Sequence, residues 1–134
     1  GQFHQEKKHV IWMFKNGSGG YWIENYVKGY TSEKRNLLSK QEMLGKWNDI
    51  LVNVNWTHKE DGFFKVWVNN KLAYDYKGQT KSKGVKTYYK FGIYRSWISK
   101  YKSYHKGKEV PTQVVYFDEV RAGKTKEKVI GNLK

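Results

Sequence analysis

The sequence predicts an all-β fold, an antiparallel β-sandwich, and three observations carry that expectation. Apolar and polar residues alternate with a period of two through most of the chain, as they do when successive side chains point to opposite faces of a strand. The apolar runs are short, rich in β-branched and aromatic residues, and separated by turn signals such as Asn16-Gly17, Asp61-Gly62 and Asn69-Asn70. No βαβ alternation and no internal repeat points to a parallel sheet or a solenoid.

The chain enters a strand-like pattern at once, at Gln2-Phe3-His4. Val10-Ile11-Trp12-Met13-Phe14 ends at Asn16-Gly17, a strong hairpin signal, and the chain resumes over 21–27, so the two runs read as an antiparallel pair. Over 31–46, Leu37, Leu38, Met43 and Leu44 stand among charges, which fits one short helix or an irregular loop. Residues 47–56, 63–69, 72–76, 87–97 and 113–121 then read as strands.

Alternation also assigns faces. In 47–56, burying Ile50, Val52 and Val54 leaves Asn53 and Asn55 on the polar side. In 63–69, burying Phe64, Val66 and Val68 leaves Lys65, Trp67 and Asn69 outside. In 88–95, Phe91 and Ile93 are expected in the core, which puts Tyr88, Lys90 and Tyr94 together on the opposite face. Gly92 would leave a gap there for a ligand to approach the backbone. Arg95, by strict alternation, points away from Tyr94. These strands are expected to offer one sheet face of Lys, Asn, Tyr and Trp, with aromatic faces for sugar rings and amides and cations for hydroxyls and carboxylates.

Composition bounds the rest. The 134 residues make about one domain, expected over 1–134, and 17% aromatic content supplies enough apolar area for a core despite a low mean hydropathy. The absence of cysteine excludes disulfide scaffolds, thiolate metal sites and cysteine nucleophiles, while leaving the compartment open. No apolar run reaches the roughly 18 residues of a membrane span. Lys and Arg number 26 against 12 Asp and Glu, a formal charge of +14, which predicts an anionic partner. Ten of the cations fall between Lys77 and Lys108, where no acidic residue occurs.

One further pattern is specific. Tyr89-Lys90-Phe91-Gly92-Ile93-Tyr94-Arg95 resembles the lysine- and tyrosine-bearing strand of jelly-roll polysaccharide lyases, the group of heparin lyase I, glucuronan lyase and, more distantly, alginate lyase. Gln2-Phe3-His4 resembles their Gln-x-His strand, which lies beside it in the cleft. Trp47-Asn48-Asp49-Ile50 through Trp56, then Asp61-Gly62 and Val66-Trp67-Val68-Asn69-Asn70, is similar to the middle of those enzymes, and 115–123 is similar to their closing strand.

The resemblance implies a jelly roll, and eliminative cleavage of a uronic-acid polymer at a cell surface or outside the cell. Such a reaction needs a group that neutralises the uronate carboxylate, a base and an acid. Carried over by motif, Gln2 bonds the carboxylate, and His4 and Tyr94 handle the protons. A phenol titrating near about 10 is a poor base unless cations stabilise the phenolate, and Lys90 sits on the face to do this. Asn53, Lys65, Trp67, Tyr88 and Arg95 are the expected substrate contacts, Arg95 only through a twist or at the strand end. Asn53 stands where a His or Lys would be accepted in relatives; an amide there can still share the carboxylate. Relatives are longer and carry strands before the Gln-x-His strand, so the N-terminal strands are expected from upstream residues or another chain.

No cofactor or metal is expected, and no motif supports a structural calcium. His9, His58 and His105 lack the spacing of metal ligands or a triad, and Asp118 and Glu119 face opposite sides of a strand, so they cannot flank one glycosidic bond. A non-catalytic carbohydrate-binding module or adhesin is the second reading. A nucleic-acid binder is third, because only Arg35, Arg95 and Arg121 could supply the bidentate fork that base and phosphate readers exploit.

Overall fold

Eight strands and three short helices form among the described residues, which in this computed structural model are 1–6 and 9–131. The domain expected over 1–134 therefore extends past the described residues. The strands are β1 (Gln2–Gln5), β2 (Val10–Gly17), β3 (Gly20–Asn25), β4 (Glu33–Leu38), β5 (Ile50–Asn55), β6 (Phe63–Val68), β7 (Lys71–Lys77) and β8 (Thr87–Lys90). The helices are α1 (Lys40–Met43), α2 (Ile98–Tyr104) and α3 (Lys126–Ile130). The chain divides into two compact units, Gly1–Phe91 and Gly92–Lys134.

The first unit is the antiparallel β-sandwich that the alternation predicted, in keeping with the jelly roll that the resemblance implied. One open sheet has the order β4-β3-β2-β1-β8 and the other β5-β6-β7, and neighbouring strands run antiparallel throughout. Their inner faces meet in one core of Ile11, Trp12, Phe14 and Ile23 from the larger sheet and Phe64, Val66, Val68 and Tyr74 from the smaller. Trp12 stacks on Phe64 with ring centroids 4.1 Å apart, and Phe3 fills the edge against Phe64 and Trp56 at 5.6 and 5.3 Å. The indole N–H of Trp12 would be an unpaired donor in this core, and it donates to the carbonyl of Thr80 at 3.1 Å.

Several strands follow local alternation as read. Phe64, Val66 and Val68 are buried while Lys65 and Trp67 are not, and Ile50, Val52 and Val54 pack on the core while Asn53 is exposed. Asn69 and Asn70, with φ of 49° and 65°, form the left-handed two-residue turn that joins β6 to β7, a conformation asparagine tolerates.

Other expectations are corrected. The β2–β3 turn lies at Ser18-Gly19 and not at Asn16-Gly17: the strands stay paired out to Gly17 and Gly20. Gly20, at φ 100°, approaches the carbonyl of Leu38 where a Cβ would collide. The 31–46 stretch holds a strand as well as the short helix. The charged sequence of β4 fits an edge, where Glu, Lys and Arg blunt further pairing, and its ladder to β3 outweighs its poor strand propensity. Helix α1 is started by a capping box in which Ser39 Oγ accepts from the Glu42 N–H and the Glu42 carboxylate accepts from the Ser39 N–H.

The strand expected over 87–97 ends at Lys90, because Gly92 takes φ 136°, outside the extended range of L-residues. Phe91 and Ile93, expected in the core, are 52% and 49% exposed. The strand expected over 113–121 does not form, since among the described residues it has no ladder to join, and Val114, Tyr116 and Val120 stand exposed. The second unit contains α2 and α3, neither with a buried residue, and neither was legible as a helix in the sequence.

A candidate active site on the five-stranded sheet

The site grows from the pairing of two short strands. β1 runs antiparallel to β8 with Gln2 opposite Lys90, Phe3 opposite Tyr89 and His4 opposite Tyr88. Directly opposed residues share a face. Phe3 and Tyr89 turn inward, their rings 4.7 Å apart, so Gln2, His4, Tyr88 and Lys90 all stand on the outer face. Two core contacts thus decide which way four polar side chains point. Gln5, the last residue of β1, is wholly buried and holds the following Lys-rich segment by donating to Ser82 Oγ at 3.2 Å and accepting the Ser82 N–H.

Within the cluster, His4 Nε2 and Gln2 Oε1 lie 2.8 Å apart. With the amide oxygen accepting, Nε2 carries the hydrogen, Nδ1 is left to accept a proton, and the Gln2 NH₂ is free to donate to another group. The imidazole stacks on Tyr88 at 5.4 Å, and the Lys90 ammonium sits 5.3 Å from the centre of the same ring. Partial burial lowers the His4 pKa below its ordinary value, and the nearby charge of Lys90 lowers it further, so the ring is neutral at neutral pH. The inner-face phenols go the other way: burial raises Tyr89, and burial with a smaller effect of Tyr89 raises Tyr21. They are poor proton carriers.

Three of the other predicted contacts lie elsewhere in the first unit. Asn53, Lys65 and Trp67 belong to the smaller sheet, and their side chains leave the sandwich on the side opposite to Gln2 and His4. They line an open cavity of about 520 Å³ with Glu60, Asp61, Phe63 and Lys77, and Lys65 is paired with Asp75 at 3.3 Å. The single face expected for Asn53, Lys65, Trp67 and Lys90 is therefore two faces, because β8 joins β1 and not β5 or β6. Tyr94 and Arg95 lie in the second unit. Tyr94 is 79% exposed, and Arg95 donates to the carbonyl of Pro111. β8 ends before Tyr94, so strand alternation does not reach from Lys90 to Tyr94.

Sequence reasoning missed how far the outer face continues. Met13 and Lys15 of β2, Trp22 and Glu24 of β3, and Lys34 and Asn36 of β4 extend it across the sheet. Burial of Trp12 and Phe14 implied the orientation of Met13 and Lys15, but which strand neighbours which is a nonlocal fact. Among the described residues no group of three or more His, Asp or Glu is placed to hold a metal ion, and no helix is long and apolar enough to cross a membrane.

A family model described as polysaccharide lyase matches residues 1–121. No curated protein gives a significant match to the chain, and no solved structure does.

Proposed function

Because the chain belongs to the polysaccharide lyase family, which carries lyase activity on a polysaccharide, we propose that it cleaves a uronic-acid polymer by β-elimination on the outer face of β1 and β8. The observation that supports this most is the cluster of Gln2, His4 and Lys90, an amide, a neutral imidazole and a cation within one pair of strands.

Elimination removes the proton at C5 of the uronate, forms the C4=C5 double bond and breaks the C4–O bond, and the departing oxygen takes a proton. The barrier lies in building negative charge on the carboxylate side of C5. Gln2, whose oxygen is occupied by His4, donates its NH₂ to that carboxylate, and Lys90 adds the compensating charge. His4 Nδ1 accepts a proton, and the lowered pKa keeps the ring neutral and available to do so. Tyr94 is assigned the other proton transfer by its motif alone. The polymer is read as a glucuronan- or heparin-type chain met outside the cell. The charge of +14 suits such a substrate.

The test is the ultraviolet absorbance of unsaturated uronate released from glucuronan, alginate, heparin or ulvan by the full chain. Product should appear from at least one polymer, and Gln2→Ala and Tyr94→Phe should each lower kcat by about 10²-fold or more, as loss of an oxyanion or acid–base group does. Polymer binding without any absorbance change would overturn the elimination. Undiminished turnover in Tyr94→Phe would remove Tyr94 from the mechanism.

A further inference from the structure

The face that carries Gln2 and His4 ends, on the far side of the sheet, in a second cation on a built support. Lys90, Gln2, Met13, Glu24 and Lys34 stand directly opposite one another on successive strands, so they form a row across the whole sheet. With strands about 4.8 Å apart, Lys34 is roughly 20 Å from Lys90 along that row, far enough for several sugars of a polymer lying across the strands.

The support begins with Glu24, which is only 8% exposed. Its carboxylate accepts the Trp22 indole N–H at 2.8 Å, the Lys15 ammonium at 2.6 Å and the Tyr26 hydroxyl. Burial opposes ionisation, but these three donors hold its pKa below the usual carboxylate value, so Glu24 is charged and Lys15 cancels it. The bond to Glu24 fixes the indole, and Lys34 Nζ rests 4.3 Å from the centre of a Trp22 ring. Lys34 has no ion pair among the described residues. Asn36, opposite Trp22 in the ladder, adds an amide on the same face. The one uncompensated charge of this cluster is thus an ammonium whose side chain is already partly ordered, so it loses less rotamer freedom on meeting an anion.

We propose that Lys34, held over Trp22 and flanked by Asn36, is a distal subsite for a uronate carboxylate several sugars from Gln2 and His4, with Trp22 and Glu24 as positioning residues. This rests on reading the outer face as a glycan cleft.

Calorimetric binding of size-fractionated oligouronates, one short and one long enough to cross all five strands, tests it on the full chain alongside turnover. Affinity should rise with length, and Lys34→Ala should weaken the long oligomer about fivefold while sparing the short one. Lys34→Arg should restore the gain. Trp22→Leu should reproduce the loss and add nothing in the double variant, because both act through one ammonium. Equal effects on both lengths, no effect on either, or additive losses would overturn the subsite. Length-dependent loss in a chain without turnover would leave the subsite and sink the elimination; turnover with an unchanged length dependence would do the reverse.

Discussion

His4 shows how one residue inherits its chemistry from neighbours on two strands. Its pKa is lowered first by partial burial and then by Lys90, so the folded chain disfavours protonation relative to the unfolded one. The sign follows: the neutral ring persists at pH values somewhat below the ordinary histidine value of about 6.5, and the stability associated with it is complete above that value and is lost as pH falls from it through the depressed folded value. Removing the Lys90 charge raises His4 toward its ordinary value. In Lys90→Ala the acidic limb of the kcat/KM profile should therefore move to higher pH, with a lower plateau because the carboxylate has lost a cation. A limb that stays in place would show that another group sets it. Gln2 and His4 were legible in the sequence because a two-residue spacing on a strand puts both on one face whatever the partner strand is. Tyr94 was not placed by the same logic, since Gly92 interrupts the alternation between it and Lys90.

Elements obeyed the sequence where burial is decided locally and departed from it where pairing is. β5, β6 and β7 were legible because each is a short run rich in β-branched and aromatic residues bounded by turn signals, and β6 in addition alternates strictly. β4 could not be read, as nothing in Glu33-Lys34-Arg35-Asn36 announces a strand until β3 offers it a ladder. The separation of Lys65 and Trp67 from Lys90 is of the same kind: face was legible and sheet membership was not. The buried Gln5 is the element-scale device that joins β1 to the segment leading into β8. Gln5→Ala leaves the Ser82 N–H and hydroxyl without this partner, and should lower unfolding stability by about 2 kcal/mol in urea titrations followed by tryptophan fluorescence. The conservative Gln5→Glu buries a charge when ionised, so it should be destabilising at neutral pH and recover part of the loss at acid pH. At the β6–β7 turn, Asn70→Gly relieves a left-handed asparagine and should stabilise by a few tenths of a kcal/mol in the same titration.

At the scale of the whole molecule the charge of +14 acts in two directions at once. The acid-free stretch divides evenly between the units, with Lys77, Lys81, Lys83, Lys86 and Lys90 in the first and Arg95, Lys100, Lys102, Lys106 and Lys108 in the second. Like charges at this density repel within the folded chain and attract a polyanion from outside, and salt screens both effects as the Debye length falls from about 10 Å at 0.1 M to about 3 Å at 1 M. Raising NaCl across that range should therefore raise Tm by a few degrees and raise KM for a polyuronate about tenfold or more, with kcat nearly constant. The two readouts separate the sources of the effect. A KM insensitive to salt would mean that the cations do not meet the substrate, whatever their role in solubility. A falling Tm would mean that ion pairs such as Lys15–Glu24 and Lys65–Asp75 outweigh the repulsion. Since the Glu24 end of the Lys15–Glu24 pair is buried and the pair is therefore less screened than an exposed one, the expected balance is repulsion relieved by salt, and the fold should be most stable under conditions in which it holds its substrate least tightly.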